Sequence, residues 1–400
     1  MKILILTHRI PFPKNGGYQI VVGNTIRGLV NKGHEVSLLS LNNQKKNGKT
    51  IEEDDLLKKI NYRSYDIDTS VSMLDAVVNL FSQQSANINR YYDAAFERLL
   101  IQEVHSNAYD IIQFEGLFVA PYLEGVRKNT KAKLIYRAHN IEHQVWERLA
   151  LQKSDPFKKI FLKLIAGRIK RYELQHLNSF DAIAVFTGQD KTTMQQYGAK
   201  VDIEVIPVGI DITLYQPRPE KTEFPSLFFL GSLSWMPNRE GIEWFLENFR
   251  SNIVNGELRT RLYVAGNDIP DQFDEYEAMD KIFMKGEVDD ALEFVNSKAI
   301  MIVPLLSGGG MRVKIVEGMA MQKCIISTSL GAEGIKYHNG ENIIIADTRE
   351  EFFRAIKNCI TDEDLCRRIG VNARTLVEQQ HDINTLSTLL VKFYKRVLAA

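Results

Sequence analysis

Short apolar runs rich in β-branched residues alternate along this chain with stretches whose apolar positions recur at helical spacing. The runs predict strands at KILILT (2–7), EVSLLSL (35–41), DIIQF (110–114), KLIYRA (133–138), DAIAVF (181–186) and DIEVIP (202–207). After a break the alternation restarts with SLFFLG (226–231), RLYVAG (261–266), KIFMKG (281–286), AIMIVP (299–304), CIISTS (324–329) and NIIIAD (342–347). Strands this short and this uniformly apolar are covered on both faces, and strand–helix alternation is the pattern of βαβ units and parallel sheets. The break is PVGIDITLYQPRPEKTEFP (207–225), whose four prolines and lack of periodicity mark a linker. Two similar α/β halves with a cleft between them follow. The last stretch, 383–398, is apolar at helical spacing through Leu386, Leu389, Leu390, Phe393, Tyr394 and Val397. The pattern leaves open whether it packs on its own half or on the first.

Length and composition agree with two soluble domains: 400 residues, 44% hydrophobic and 25% charged. Fifty basic and fifty acidic residues cancel, so no global charge points to nucleic acid. The three cysteines, Cys324, Cys359 and Cys366, are odd in number and lack ligand spacing, which fits a reducing compartment. Met1 runs straight into a strand with no leader pattern, and no apolar run is long enough to span a bilayer, so the expected location is the cytoplasm.

Three strand ends carry candidate chemistry, because ligands of open α/β sheets bind at the carboxyl ends of strands. After the first strand, THRIPFPKNGGYQ places Gly16 and Gly17 just before a helix (18–32), where backbone can approach an anion. After KLIYRA, His139 stands at the strand end, with His143 four residues on. A zinc pair has that spacing, but HNIEH lacks the HExxH order and a third ligand. His139 then stays open between a structural and a catalytic role. The third end is PLLSGGGMRVKIVEGMA (304–320): a strand end, the glycines Gly308, Gly309 and Gly310, and a helix carrying Arg312, Lys314 and Glu317. Consecutive glycines cost conformational entropy that a plain helix start does not require. They suit backbone N–H groups aimed at a diphosphate, with Arg312 and Lys314 adding charge and Glu317 able to accept from sugar hydroxyls. Neither GxxxxGK[ST] nor GxGxxG opens either half, which disfavours ATPases and dinucleotide oxidoreductases.

Taken together these stretches resemble the GT-B glycosyltransferases, and more narrowly the retaining family-4 enzymes. The resemblance runs over nearly the whole chain: Gly16–Gly17, the His139 strand end, DAIAVFTGQDK, VIPVGID, FLGSLSWMPNREG, LYVAGND, GEVDDALEF, the glycine loop to Glu317, and GENIIIAD before an amphipathic helix. It implies two Rossmann-like domains, an acceptor-binding one (1–206) and a donor-binding one (226–380), joined by the linker 207–225, with a last helix (381–400) returning to the first. It implies a nucleoside-diphosphate sugar, UDP- or GDP-linked, as donor and no metal. The diphosphate would lie on Gly308–Gly310 and on Gly16–Gly17, the ribose on Glu317, the base near KGEV (285–288) at Gly286 and Val288, and His139 would line the reaction centre. The acceptor implied is a glycan or lipid-linked precursor of a bacterial surface polysaccharide.

Two positions depart from the family pattern. Many relatives have a glutamate eight residues before the one matching Glu317; here that position is Gly309. Many also carry an arginine and a lysine in the loop after the first strand of the second domain; here Ser232 replaces the arginine and the lysine is missing. The diphosphate cations are therefore expected to come from Arg312 and Lys314, with Arg239 as a third. Two other readings follow: a metal-dependent transferase using Asp66 and Asp68 as a DxD pair, and a catalytically silent sugar-nucleotide-binding subunit. Separately, 156–172 (PFKKIFLKLIAGRIKRY) holds six basic residues and no acidic one among apolar residues at helical spacing. That composition fits peripheral contact with an anionic membrane, or else a core-packed helix with a solvated basic face.

Overall fold

The computed structural model describes residues 1–13, 16–42, 55–70, 85–152, 155–277 and 280–400. It divides into two compact units, residues 1–209 with 383–400, and residues 210–382. Helices longer than a single turn are numbered.

Unit 1 runs β1 (Lys2–Thr7), α1 (Gly17–Asn31), β2 (Glu35–Asn42), β3 (Asn61–Asp66), α2 (Ala94–Ser106), β4 (Ile111–Glu115), α3 (Leu123–Asn129), β5 (Lys133–Ala138), α4 (Glu142–Gln152), α5 (Pro156–His176), β6 (Ala182–Val185), α6 (Gly188–Gln196) and β7 (Asp202–Val205). The strands form a parallel sheet in the order β3-β2-β1-β4-β5-β6-β7. Alternate residues of β1 feed two cores, Leu4 and Leu6 on one face, Ile3 and Ile5 on the other. Period-2 side-chain direction makes a fully apolar run the right sequence for a strand covered on both sides.

Unit 2 runs β8 (Glu223–Leu230), α7 (Met236–Val254), β9 (Arg261–Ala265), β10 (Ile282–Gly286), α8 (Ala291–Asn296), β11 (Lys298–Val303), α9 (Val313–Ala320), β12 (Cys324–Ser327), β13 (Ile344–Ile345), α10 (Arg349–Thr361) and α11 (Glu363–Gln380). Its parallel sheet has the order β10-β9-β8-β11-β12-β13. The final helix, α12 (Ile383–Ala399), belongs to unit 1. It lays Leu390, Phe393, Tyr394 and Val397 into the same core as Ile3 and Ile5. Gly28 on α1 permits this approach: a Cβ there would fall 1.8 Å from Ser387 Oγ.

The structure departs from the sequence reading at four places. β3 is an additional strand, mostly exposed and polar (NYRSYD), at the sheet edge. β7 ends at Val205, and β13 is only two residues long. The proline-bearing stretch is partly ordered, with 3-10 turns at Ile212–Leu214 and Pro219–Lys221, and β8 already begins at Glu223. No helix among the described residues is long and apolar enough to cross a membrane.

Candidate functional site

In unit 2 the sheet order sets the carboxyl ends of β10, β9, β8 and β11 side by side. The loop after β11 turns through Gly308 and Gly310, whose φ values of 98° and 76° favour glycine. A Cβ on Gly308 would come within 3.3 Å of both Pro237 and Trp235. Ser307 Oγ donates to Glu240 Oε2 (2.9 Å), tying the loop to α7. Arg312 is the N-cap residue of α9 and is buried. Its guanidinium donates to the carbonyls of Gly309 and Gly310 and lies 5.5 Å from the Trp235 ring. Arg312 thus braces the glycine turn.

Lys314 reaches from the first turn of α9 to the loop after β8. Its Nζ donates to Asn238 Oδ1 (2.9 Å) and lies 4.1 Å from the Phe229 ring centroid. A Cβ on Gly231 would stand 2.5 Å from that nitrogen. Asn238 in turn donates to the carbonyl of Ser232 (2.7 Å). The ammonium therefore sits against the loop in which the expected arginine and lysine are missing. Burial of this ammonium, reinforced by the nearby Arg312, lowers the Lys314 pKa to about 7, with Glu317 opposing. One turn on, Glu317 Oε1 accepts from Tyr215 OH (2.6 Å). Burial raises the Glu317 carboxyl above its usual range, while the Tyr215 hydrogen bond and Lys314 pull it back. Arg239 Nε donates to the Leu233 carbonyl in the loop after β8 (3.0 Å). Gly286 (φ 65°) ends β10 and accepts from Gly266 N (2.8 Å), with half-buried Val288 two residues on.

In unit 1 the neighbouring ends of β1, β4 and β5 gather a second cluster. His139 Nε2 meets Glu115 Oε2 at 2.6 Å, and Glu115 is fully buried. Glu115 Oε1 accepts from Gln113 Nε2 (2.5 Å), and Gln113 Oε1 accepts from Tyr394 OH on α12. A hydrogen-bonded row thus runs from the last helix through β4 to His139. The Tyr18 ring lies 4.8 Å from that of His139, and its hydroxyl donates to the Glu115 carbonyl (3.3 Å). His8, just past β1, accepts at Nε2 from Arg9 Nε (3.0 Å). Burial first, then Arg9 and His139, hold His8 well below the usual histidine range, so it is neutral with its proton on Nδ1. Gly16 caps α1 in extended backbone, and its carbonyl accepts from Ile20 N (2.9 Å); Gly17 begins the helix.

His143 belongs elsewhere. It is fully buried, with Nδ1 2.5 Å from Glu173 Oε2 and Nε2 3.3 Å from Tyr197 OH. Glu173 also receives the backbone N–H groups of Glu142 and His143, which makes it the cap of α4. The zinc-pair spacing is thus a fully buried histidine beside one at the strand end, each held by its own carboxylate. Asp66 and Asp68 are exposed at the end of edge strand β3, engaged by Asn42 Nδ2 (2.7 Å) and Ser70 N (2.8 Å). Among the described residues, the side chains close enough to share a metal ion are Cys324, Cys359 and Cys366. The fold gathers these despite their unpromising spacing, but in the unit 2 core and from the amino end of β12, opposite the glycine loop. The sequence reading missed Glu115, Gln113, His8, Tyr18, Asn238 and Tyr215. Only His8 and Glu115 carried a signal, a titratable residue ending an apolar strand.

Two Rossmann-like units with parallel sheets, functional groups at the strand ends and a final helix returned to the first unit are the GT-B glycosyltransferase architecture. A family model described as Glycosyltransferase Family 4 matches residues 15–214, and one described as Glycosyl transferases group 1 matches residues 224–362. The chain belongs to the group 1, family 4 glycosyltransferases. A Klebsiella pneumoniae relative, an "uncharacterized 44.6 kDa protein in cps region", is 22% identical over 98% of this chain and 99% of its own. Similar solved structures include sucrose-phosphate synthase from Thermosynechococcus elongatus (TM-score 0.71, 14% identity, all of both chains covered). Anabaena HepE in complex with UDP and glucose is another (TM-score 0.65, 16% identity, 99% of this chain and 100% of that one). At these identities the structural likeness speaks for the fold.

Proposed function

We propose that this glycosyltransferase is a metal-independent hexosyltransferase acting in surface polysaccharide synthesis. It moves a sugar, with retention, from a nucleoside diphosphate to a glycan or lipid-linked acceptor at the cytoplasmic side of the membrane. The acceptor oxygen bonds to the anomeric carbon, the bond from that carbon to the diphosphate oxygen breaks, and the acceptor proton leaves with the diphosphate. The relative in a cps region and the UDP complex of a structural neighbour support the acceptor and donor classes.

The observation that carries the reading is Lys314, held against Gly231 and Asn238 beside the braced glycine turn, with Glu317 one turn on. In this reading Lys314 meets the charge that develops on the leaving diphosphate, a role best filled by a preorganised donor in a dry site. Arg312 contributes by charge and by fixing the turn of Gly308, Gly309 and Gly310. Glu317 accepts from the ribose hydroxyls, displacing Tyr215. Gly286 and Val288 flank the base, Gly16 and Gly17 approach the phosphates, and His139, oriented by Glu115, lines the transferred sugar. Gly309 leaves the contact that a glutamate makes in many relatives to another group.

The test is thermal unfolding with UDP, GDP, ADP and CMP, on wild type and Glu317→Ala. A ligand at 100 times its dissociation constant adds about 2.7 kcal/mol when it binds only the folded state. One diphosphate should raise the midpoint in wild type and lose that effect in Glu317→Ala. Stabilisation that persists in Glu317→Ala would place the donor elsewhere. Binding without turnover of any sugar derivative would favour the silent-subunit reading.

A further inference from the structure

Seven large hydrophobic residues are exposed among the described residues of unit 1, and five of them are Leu151, at the end of α4, and Phe157, Ile160, Phe161 and Leu164 on α5. Phe157 is 83% exposed and Ile160 58%. Positions 157, 160, 161 and 164 follow the i, i+3, i+4, i+7 rule, so they form one stripe. The core face of the same helix is a different one, carrying Ala166, Ile169 and Glu173. Those buried positions lie in its second half; in the first half Leu162 and Ile165 are half-buried and the stripe is exposed. A soluble surface rarely gathers so much apolar area without something to cover it.

The charge says what covers it. Lys158, Lys163 and Arg171 are exposed, and Lys159, Arg168 and Lys170 partly so. Residues 156–172 contain no acidic side chain, and Asp155, just before them, accepts from Phe157 N and Lys158 N as the helix cap. Continued by eleven and fourteen residues from Phe157, the outer stripe reaches Arg168 and Arg171, turning from apolar to cationic along the helix. A second copy pressed on this face would set like charges against one another. We propose that α5 docks on an anionic lipid surface. Phe157, Ile160, Phe161 and Leu164 enter the acyl boundary, the lysines flank them at headgroup level, and Arg168 and Arg171 hold phosphates further along. The helix enters amino end first. The inference concerns this face alone and is independent of the proposed donor site.

The test is flotation of the full chain with phosphatidylcholine vesicles, with and without phosphatidylglycerol, at low and high salt. Wild type should float with the anionic vesicles and much less with the neutral ones. Phe157→Ser/Phe161→Ser should weaken partitioning about 100-fold or more, the scale of removing two buried rings. Lys158→Glu/Lys159→Glu/Lys163→Glu should weaken it about 100-fold or more on anionic vesicles, at roughly fivefold for each lost basic charge. Because these side chains are exposed, Lys159 partly so, both variants should keep the wild-type unfolding midpoint and any shift UDP produces, so loss of flotation with both retained is not loss of fold or of the donor site. Failure of wild type to float with anionic vesicles overturns the proposal, as does equal flotation by both variants. Self-association that the phenylalanine variant abolishes, without flotation, overturns it in favour of a second copy.

Discussion

If the donor diphosphate binds beside Lys314, as proposed, its binding is a proton-linked event. The Lys314 pKa in this structure is lowered to about 7, chiefly by burial. An arriving diphosphate brings opposite charge within contact distance, which raises a neighbouring ammonium's pKa by about two units or more. At pH 8 a lysine of that pKa is about one-tenth protonated and one facing a diphosphate about nine-tenths or more, so binding takes up about 0.8 proton. At pH 6 the lysine is already charged and uptake falls to about 0.1 proton. Isothermal titration of UDP at pH 8, in two buffers of different ionisation heat, reads the number directly. Between pH 7 and 9 the UDP dissociation constant should rise about fivefold per pH unit. Lys314→Met should bind weakly, without proton uptake and without that slope. The same group sets a stability trend. Its folded pKa lies below the unfolded value, so the unfolded chain holds more protons between pH 7 and 10, and stability rises with pH across that window. The rise is at most about 4 kcal/mol, reduced because Lys314 keeps some surface open to screening water. Uptake near zero at pH 8 in wild type, or equal uptake in Lys314→Met, would refute the reasoning.

Two further outcomes test unit 1. Glu115→Gln keeps a hydrogen bond to His139 but offers it a donor in place of a carboxylate, which changes the imidazole tautomer. Turnover should fall at least about tenfold while donor affinity and unfolding midpoint stay near wild type, and unchanged turnover would remove Glu115 from the site. Gly28→Ala would drive a Cβ to 1.8 Å from Ser387 Oγ and 2.9 Å from Ser387 Cβ. Chemical denaturation should show about 1–3 kcal/mol lost, largely recovered in Gly28→Ala/Ser387→Gly; a fully stable single variant would contradict the α1–α12 contact.

What the sequence displayed and what it hid follow from the same physics. Strands covered on both faces must be apolar throughout, so twelve of them were legible as runs. β3 was not, because an edge strand facing water keeps Arg63 and Ser64 as readily as a loop would. The glycine turn was legible because only a special backbone needs such residues. Its partner contacts were not: Lys314 finds Asn238 across 76 positions of chain, and His139 finds Glu115 across 24. Those meetings are set by register, with Glu115 opposite Arg137, two residues before His139. On α5 composition left two readings, a membrane face or a core face. Exposure shows that the core takes Ala166 and Ile169 and leaves the larger side chains outside, which is the ground of the lipid-docking proposal.

That α12 belongs to unit 1 has a consequence for how the protein is made. Residues 1–209 leave the ribosome without the helix that completes one of their two cores. At typical elongation rates about 10–40 s pass before that helix is synthesised. Throughout that interval the apolar face around Ile3, Ile5 and Ile26 waits for Leu390, Phe393 and Val397. Unit 2 is continuous in sequence and can close first. The chain is thus assembled from its middle outward: the half that begins synthesis is the last to be finished, and a nascent chain stalled before residue 383 presents an apolar groove to holdase chaperones.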